Sequence, residues 1–180
     1  MKVRKGRIQI EETKFFIDMD GVLAVWGAET DEKTLLTKGY FRNRPPYPNM
    51  IKAVKSLCRI SEKVYILSHY IESSKYALSE KSAWIDEHLP EISKEHRIFC
   101  PQIMTKSDAA SLFLHTNIKN TYVLIDDYSK NLFDWVKHGG VGIKCLNGVN
   151  NTNGTWAEQK LKLIDVSWTP IQIARGIVMY

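Results

Sequence analysis

The chain has 180 residues, of which 44% are hydrophobic and 25% charged, a balance typical of one globular domain with a substantial core. Three widely separated cysteines and the lack of an apolar run of roughly 18 residues argue against a disulfide-rich secreted scaffold and a membrane protein, so we expect a cytoplasmic protein. A formal charge of +5 favours an anionic ligand, but the lysines are dispersed beyond the first seven residues, which disfavours a nucleic-acid-binding surface.

The first predicted strand ends in two carboxylates. Residues 15–17 form a short apolar run, and Asp18, Met19, Asp20 and Gly21 follow. Alternation in extended chain places both aspartates on one face at the carboxyl end of the strand, where open α/β sheets bind ligands. Two like charges this close are unfavourable unless a cation or a proton lies between them. The alternative is a polar turn after an edge strand.

The next segment, residues 24–48, is the least regular part of the chain. Three prolines between positions 45 and 48 predict an extended loop there. The segment also carries Trp26, Phe41 and Tyr47. These aromatic side chains could stack on a ligand at the mouth of a site or be buried under a small lid.

Strands and helices then alternate. Asn49 is a candidate N-cap for a helix that ends near Cys58, and a second strand leads to Ser68. Ser107 is a candidate cap for a later helix. The predicted strands are residues 15–17, 64–67, 97–100, 122–127 and 141–146, and the predicted helices are residues 49–58, 70–88, 106–115 and 131–138.

Near-continuous apolar strands that alternate with helices predict a sheet covered on both faces. The expected fold is therefore α/β, a three-layer, doubly wound, Rossmann-like and mostly parallel sheet. We expect a single domain over residues 1–180, with a short cap or lid insertion at 24–48 and a C-terminal extension of uncertain role at 147–180.

Residues 18–22, Asp-Met-Asp-Gly-Val, resemble the first motif of the haloacid dehalogenase-like phosphohydrolases. The other three motifs of that superfamily are matched in order. Ser68 ends the second predicted strand, Lys81 lies on the following helix, and Asp126 and Asp127 end the fourth strand. The resemblance implies a haloacid dehalogenase-like core with a small or vestigial cap.

Within that superfamily the chain is most similar to the 5'(3')-deoxyribonucleotidase branch. The similarity rests on residues 18–24, on Glu80-Lys81-x-x-Trp84, and on residues 125–127 with Asn131 four positions after the last acid. It extends from about residue 14 to residue 145, and so leaves out the tail.

This resemblance implies roles for the matched residues. Asp18 would be the nucleophile that forms an aspartyl-phosphate, and Asp20 the general acid and base. Ser68 and Lys81 would bind the phosphoryl oxygens. Mg²⁺ would be the cofactor, held by Asp18, the backbone carbonyl of Asp20, and Asp126.

Supporting roles leave alternatives open. Asp127 orients water or the phosphate-binding lysine, or is the N-cap of the next helix. Asn131 contacts a metal-bound water or lies on the surface. His69 contacts substrate or is exposed. Two other lysines, Lys75 and Lys106, are alternatives for the phosphate-binding role.

The implied function is a Mg²⁺-dependent phosphomonoesterase of the 5'-nucleotidase kind, acting on a small phosphomonoester such as a nucleotide. Because the cap segment is short, an alternative is a phosphatase for a bulky substrate, either a nucleic-acid end or a phosphoprotein. A third possibility is a non-catalytic protein that binds a phosphorylated ligand.

Overall fold

Six parallel strands form one sheet in this computed structural model, which describes residues 10–27, 31–150 and 162–179. The strands are β1 (Lys14–Ile17), β2 (Val64–Tyr70), β3 (Arg97–Pro101), β4 (Tyr122–Asp126), β5 (Val141–Leu146) and β6 (Lys162–Asp165). The helices are α1 (Glu32–Leu35), α2 (Pro48–Cys58), α3 (Ala77–His88), α4 (Lys106–Leu114), α5 (Ser129–Lys137) and α6 (Pro170–Val178), and a 3₁₀ turn (Lys94–His96) precedes β3.

The strand order β3-β2-β1-β4-β5-β6 places a topological switch point between β1 and β4. In the parallel register, Ile17 of β1 pairs with Ile66 of β2 on one side and with Ile125 of β4 on the other. The residues that follow these three positions therefore lie side by side. This is the crevice where open α/β sheets bind ligands.

Apolar residues cover both faces of the sheet. Phe15 and Ile17 of β1 belong to a core cluster with residues of α2, α3 and α6, whereas Phe16 packs in a second cluster with residues of α4 and α5. Alternation along one strand thus supplies both cores. The predicted three-layer, doubly wound, parallel α/β fold is confirmed.

One predicted helix begins later than its sequence pattern indicates. The helix expected from Tyr70 starts at Ala77, because β2 does not end at Ser68 as predicted but continues through Tyr70 by pairing with β3. Within α3, Trp84 and Ile85 are buried as predicted, but Leu78 is 45% exposed. Backbone pairing across the sheet therefore overrides the local helical pattern at the start of this segment.

The predicted helix caps also shift. Tyr47 is the N-cap of α2 in place of Asn49, with Pro48 in the first turn, where a missing N–H costs nothing. Thr105, and not Ser107, caps α4 by accepting a hydrogen bond from the Asp108 amide. The N-cap of α5 is Tyr128, so Asp127 does not have that role.

The cap segment, residues 24–48, is fastened to the core at both ends. The Val25 amide donates to the Pro45 carbonyl and the Tyr47 amide donates to the Leu23 carbonyl, each at 2.8 Å. The two ends of the segment therefore lie beside each other directly after the first carboxylate pair.

The tail, for which the sequence predicts no structure, continues the fold. β6 pairs with β5, and α6 packs against α2 and buries Ile173 and Ile177. None of the helices in the described residues combines the length and the apolar composition that a membrane span requires. All three cysteines are free thiols.

Candidate active site

The tip of β1 presents Asp18 to the crevice. Its amide donates to the Ile125 carbonyl at 3.0 Å, which extends the pairing with β4 by one residue. The Met19 amide donates to Asp18 Oδ1 at 2.8 Å and fixes the carboxylate. The chain then turns at Gly21, whose φ of +77° is unfavourable for residues with a side chain. A Cβ there would lie 2.1 Å from Asp127 Oδ2, so glycine is required for a second reason.

Asp20 is paired with Lys81 of α3. The Lys81 ammonium group donates to Asp20 Oδ2, to Ser68 Oγ at 3.1 Å and to the His69 carbonyl at 2.6 Å. The lysine side chain is 1% exposed. Lys81 thus contacts the carboxylate expected to be the general acid, and it links that carboxylate to Ser68 at the sheet.

A second buried lysine contacts the other carboxylates. Lys106 Nζ lies 2.9 Å from Asp18 Oδ1 and 2.6 Å from Asp126 Oδ2. Sequence reasoning kept this lysine only as an alternative. Its position in the first turn of α4, directly after the Thr105 cap and the end of β3, is the signal that could have favoured it. Lys75, the other alternative, is exposed.

The two acids after β4 have different partners. Asp126 accepts hydrogen bonds from the Tyr128 amide at 2.7 Å and from Asn131 Nδ2 at 3.0 Å. Asp127 Oδ2 accepts from Asn147 Nδ2 at 2.7 Å and from Asn150 Nδ2 at 2.6 Å. Neither of the last two asparagines was predicted, because they follow β5, where the motif pattern has no position.

Burial is the largest influence on the pKa values of three acids in this cluster. It raises the pKa of Asp20, against the opposing charge of Lys81, and it raises the pKa of Asp126. Burial, then the charges of Asp126 and Asp18, raises the pKa of Asp127 to about 7. For Lys106, burial is outweighed by its two carboxylate partners, so its pKa is raised. Each of these acids therefore favours a nearby cation or a proton.

The donor set fits a divalent cation. Oxygen atoms of Asp18, Asp126 and Asp127 lie within 4.8 Å of one another. With Asp20 the site has four carboxylates, and two lysines are bonded to them. When all six groups are ionised, the net charge of the site is −2. In the described part of the chain, Asp20 Oδ1 is buried with no hydrogen-bond partner. Hard oxygen ligands of this kind suit Mg²⁺.

These groups open into a cavity of about 600 Å³. Asp18, Asp20, Lys81 and Lys106 line it, and so do predicted residues His69, Asp127 and Asn131. Trp26 and Phe41 of the cap segment form part of its wall, whereas Tyr47 is not a lining residue.

The His69 ring is bonded to backbone at the cavity wall. Its Nε2 lies 2.9 Å from the Met104 carbonyl, and burial, followed by the charge of Lys106, lowers its pKa. A neutral imidazole at the cavity wall is suited to contact with a substrate.

Comparison with solved structures finds a haloacid dehalogenase-like family hydrolase from Streptococcus pneumoniae, with a TM-score of 0.63 and 13% sequence identity. The match covers 92% of this chain and 98% of that protein, and at this identity it shows the fold. Comparison with curated protein sequences returned no significant match.

A protein family does match the sequence. The family described as "5' nucleotidase, deoxy (Pyrimidine), cytosolic type C protein" matches residues 29–160, which is well over half of the chain. The matched range includes Ser68, Lys81, Lys106 and Asp126, and it begins after the carboxylate pair at β1. The resemblance to phosphohydrolases near the deoxyribonucleotidase branch is thereby confirmed. The chain is a phosphomonoester hydrolase that belongs to this family of haloacid dehalogenase-like 5'-nucleotidases.

Proposed function

We propose that the protein is a Mg²⁺-dependent phosphatase of small nucleoside monophosphates that works through an aspartyl-phosphate on Asp18. The observation that carries this proposal is the position of Asp18, which lies at the switch point, opens into the cavity, and is bonded to Lys106 at 2.9 Å. The family description supports a nucleotide as the substrate.

The first half-reaction is an attack by an Asp18 carboxylate oxygen on phosphorus. The bond between phosphorus and the ester oxygen breaks, and Asp20 gives that oxygen a proton, which releases an alcohol. A raised pKa makes the protonated form of Asp20 available for this step. Lys106 is placed to neutralise the negative charge that approaches Asp18.

In the second half-reaction, water attacks the aspartyl-phosphate while Asp20 removes its proton. The bond between phosphorus and the Asp18 oxygen breaks, which regenerates the Asp18 carboxylate and releases inorganic phosphate. Ser68 and Lys81 are bonded to each other beside Asp20, and this supports a role in holding phosphoryl oxygens. Both residues are 1% exposed, and electrostatic contacts are stronger where little water surrounds them.

Mg²⁺, when bound, would shield the negative charge of the phosphoryl group. Asp18, Asp126 and Asp127 are the side chains that would hold it, together with the Asp20 carbonyl. Asn131 donates to Asp126, and Asn147 donates to Asp127. These hydrogen bonds would orient the two carboxylates toward the metal.

The cavity wall favours a substrate of nucleotide size over a nucleic-acid end or a phosphoprotein. The cavity that contains the carboxylates has Trp26 and Phe41 in its wall and a volume of about 600 Å³, within the range of small-molecule sites. Aromatic rings at this position suit the apolar face of a base. We also propose a cytosolic location, because the family description names a cytosolic type and the three cysteines are free thiols.

The decisive experiment measures inorganic phosphate released from deoxynucleotides, ribonucleotides, sugar phosphates and phosphorylated oligonucleotides, with Mg²⁺ or with a chelator. Wild type is compared with Asp18→Asn, which is nearly isosteric. We expect metal-dependent turnover of mononucleotides that the variant loses by a factor of at least about 10³. Turnover that survives Asp18→Asn would refute the aspartyl-phosphate route, and preference for oligonucleotides would refute the proposed substrate class.

A further inference from the structure

The Glu80-Lys81-x-x-Trp84 motif of α3 connects two different parts of the molecule. Lys81 bonds to Asp20 and Ser68 in the site. Glu80 and Trp84 are four residues apart and so share one side of the helix. Both of them bond to the backbone of the cap segment.

Glu80 accepts hydrogen bonds from three backbone amides within four residues of that segment. Its carboxylate accepts hydrogen bonds from the amides of Gly39 at 2.5 Å, Phe41 at 3.1 Å and Arg42 at 3.4 Å. The residue is only 8% exposed. A buried carboxylate is costly unless it is well hydrogen-bonded, and bonds from backbone amides to an ionised acceptor are among the stronger ones. The loop and the carboxylate therefore stabilise each other.

Trp84 fixes the far end of the same stretch. Its indole Nε1 donates to the Arg44 carbonyl at 2.7 Å, while its ring is fully buried in the core. The Arg44 guanidinium lies 3.9 Å from the Tyr40 ring centre, and Tyr40 packs edge-on against Trp26. The hydrogen bond from Trp84 to Arg44 therefore also helps to position Tyr40 and Trp26, and Trp26 lines the cavity.

The anchored stretch carries a ring directly over the site lysine. Phe41 is 2% exposed, lines the cavity, and its ring centre lies 5.0 Å from Lys81 Nζ. Lys81 follows Glu80 in the chain, so one helical turn sets the positions of the ring and of the ammonium group below it.

We propose that Glu80 and Trp84 are positioning residues that fix residues 39–44 against α3, so that Phe41 and Trp26 form the wall that contacts the leaving group of the substrate. This proposal rests on the proposed function, because it takes the cavity to be the site of a phosphomonoester. It assigns specificity for the leaving group to a short loop held by one buried carboxylate.

The test compares Glu80→Gln with Glu87→Gln. Glu87 lies on the same helix and pairs with Arg42 of the same loop, but its side chain is 51% exposed, so its loss should matter little. Glutamine at position 80 loses the charge and one acceptor oxygen. We expect amide hydrogen exchange in residues 39–42 to accelerate by about tenfold or more in Glu80→Gln only.

Measurements of KM and kcat on two substrates then distinguish a positioning role of Glu80 from a general loss of activity. For a nucleoside monophosphate, Glu80→Gln should raise KM by about tenfold and change kcat by no more than about twofold. For glycerol phosphate, whose leaving group does not reach the aromatic wall, both constants should stay within about twofold of wild type. Glu87→Gln should match wild type throughout.

Unchanged exchange at residues 39–42 in Glu80→Gln would overturn the proposal, and so would faster exchange with no change in KM for the nucleotide. Equal loss of kcat on both substrates would show a catalytic effect instead of positioning. If Glu80→Gln does not fold, Trp84→Phe, which keeps the ring and removes only the donor to Arg44, is subject to the same criteria. Exchange is measured without substrate, so a wild type that hydrolyses no phosphomonoester would refute the proposed function while the anchoring itself is still tested.

Discussion

The Lys106 ammonium group lies between two buried carboxylates, Asp18 and Asp126. Removal of its charge leaves two acids facing each other out of water. We expect Lys106→Met to lower the free energy of unfolding at pH 8 by about 3 kcal/mol. Phosphate release should fall by at least about 100-fold, because the nucleophile loses its neutralising partner.

Lys75→Met is the matched control, since Lys75 is exposed and does not line the cavity. Denaturant unfolding and phosphate release should both be close to wild type for this variant. Lys106→Met with wild-type activity would show that Lys81 alone performs the phosphate-binding role.

Asp127 should make stability depend on pH. Burial, followed by the charges of Asp126 and Asp18, raises its pKa from 3.8 to about 7. Between those values the folded protein holds a proton that the unfolded chain has released. The free energy of unfolding of the metal-free protein should therefore fall as the pH rises from about 4 to about 7.

Asp127→Asn should make this slope shallower by up to about 1.4 kcal/mol per pH unit. It should not remove the slope, because the raised pKa values of Asp20 and Asp126 act in the same direction. Denaturant unfolding with a chelator at several pH values measures this pH dependence of the free energy of unfolding. With saturating Mg²⁺ the trend should reverse, since the metal requires the ionised carboxylates. An unaltered slope in Asp127→Asn would mean that this acid is already ionised at pH 5.

At the scale of elements, the turn after β1 brings two strand ends together. Gly21 combines a φ of +77° with a close approach to Asp127 Oδ2. Gly21→Ala should lower the free energy of unfolding by at least about 2 kcal/mol, because backbone strain and a side-chain clash act together. It should also weaken Mg²⁺ binding, which calorimetry can follow, since Asp127 must move.

Gly148→Ala separates the two causes. Gly148 has a similar φ of +83°, but a Cβ there would meet nothing within 4 Å. Backbone strain alone should cost about 1 kcal/mol and leave Mg²⁺ binding unchanged. Equal effects of the two variants would show that the contact with Asp127 is unimportant.

Over the whole molecule, the last strand and helix complete one core. Ile173 of α6 is fully buried in the cluster that also contains α2 and β1, whereas Ile171 in the same helix is 66% exposed. Ile173→Ala should lower the free energy of unfolding by about 3 kcal/mol and Ile171→Ala by no more than about 0.5 kcal/mol. If denaturant unfolding gave the same loss of free energy of unfolding for both variants, α6 would not be packed on the core.

Local pattern in the sequence is enough to predict the fold class and the acidic residues at the ends of β1 and β4. Periodicity along the chain marks each buried strand, and parallel strands present their carboxyl ends at one edge of the sheet. The positions of Asp18 and Asp126 were therefore predictable from local pattern, whereas β2 runs two residues beyond Ser68.

The pairing of each lysine with its acid, and the contacts that hold the cap segment, depend on how distant parts of the chain pack together. The connection from β3 to β4 passes β2 and β1, and this brings Lys106 of α4 to Asp18, a contact that no spacing in the sequence encodes. Asn147 reaches Asp127, and Glu80 reaches the amides of the cap segment, by the same kind of long-range packing. Such contacts depend on the order and register of the strands, and those are set by the packing of the whole chain and not by any one segment.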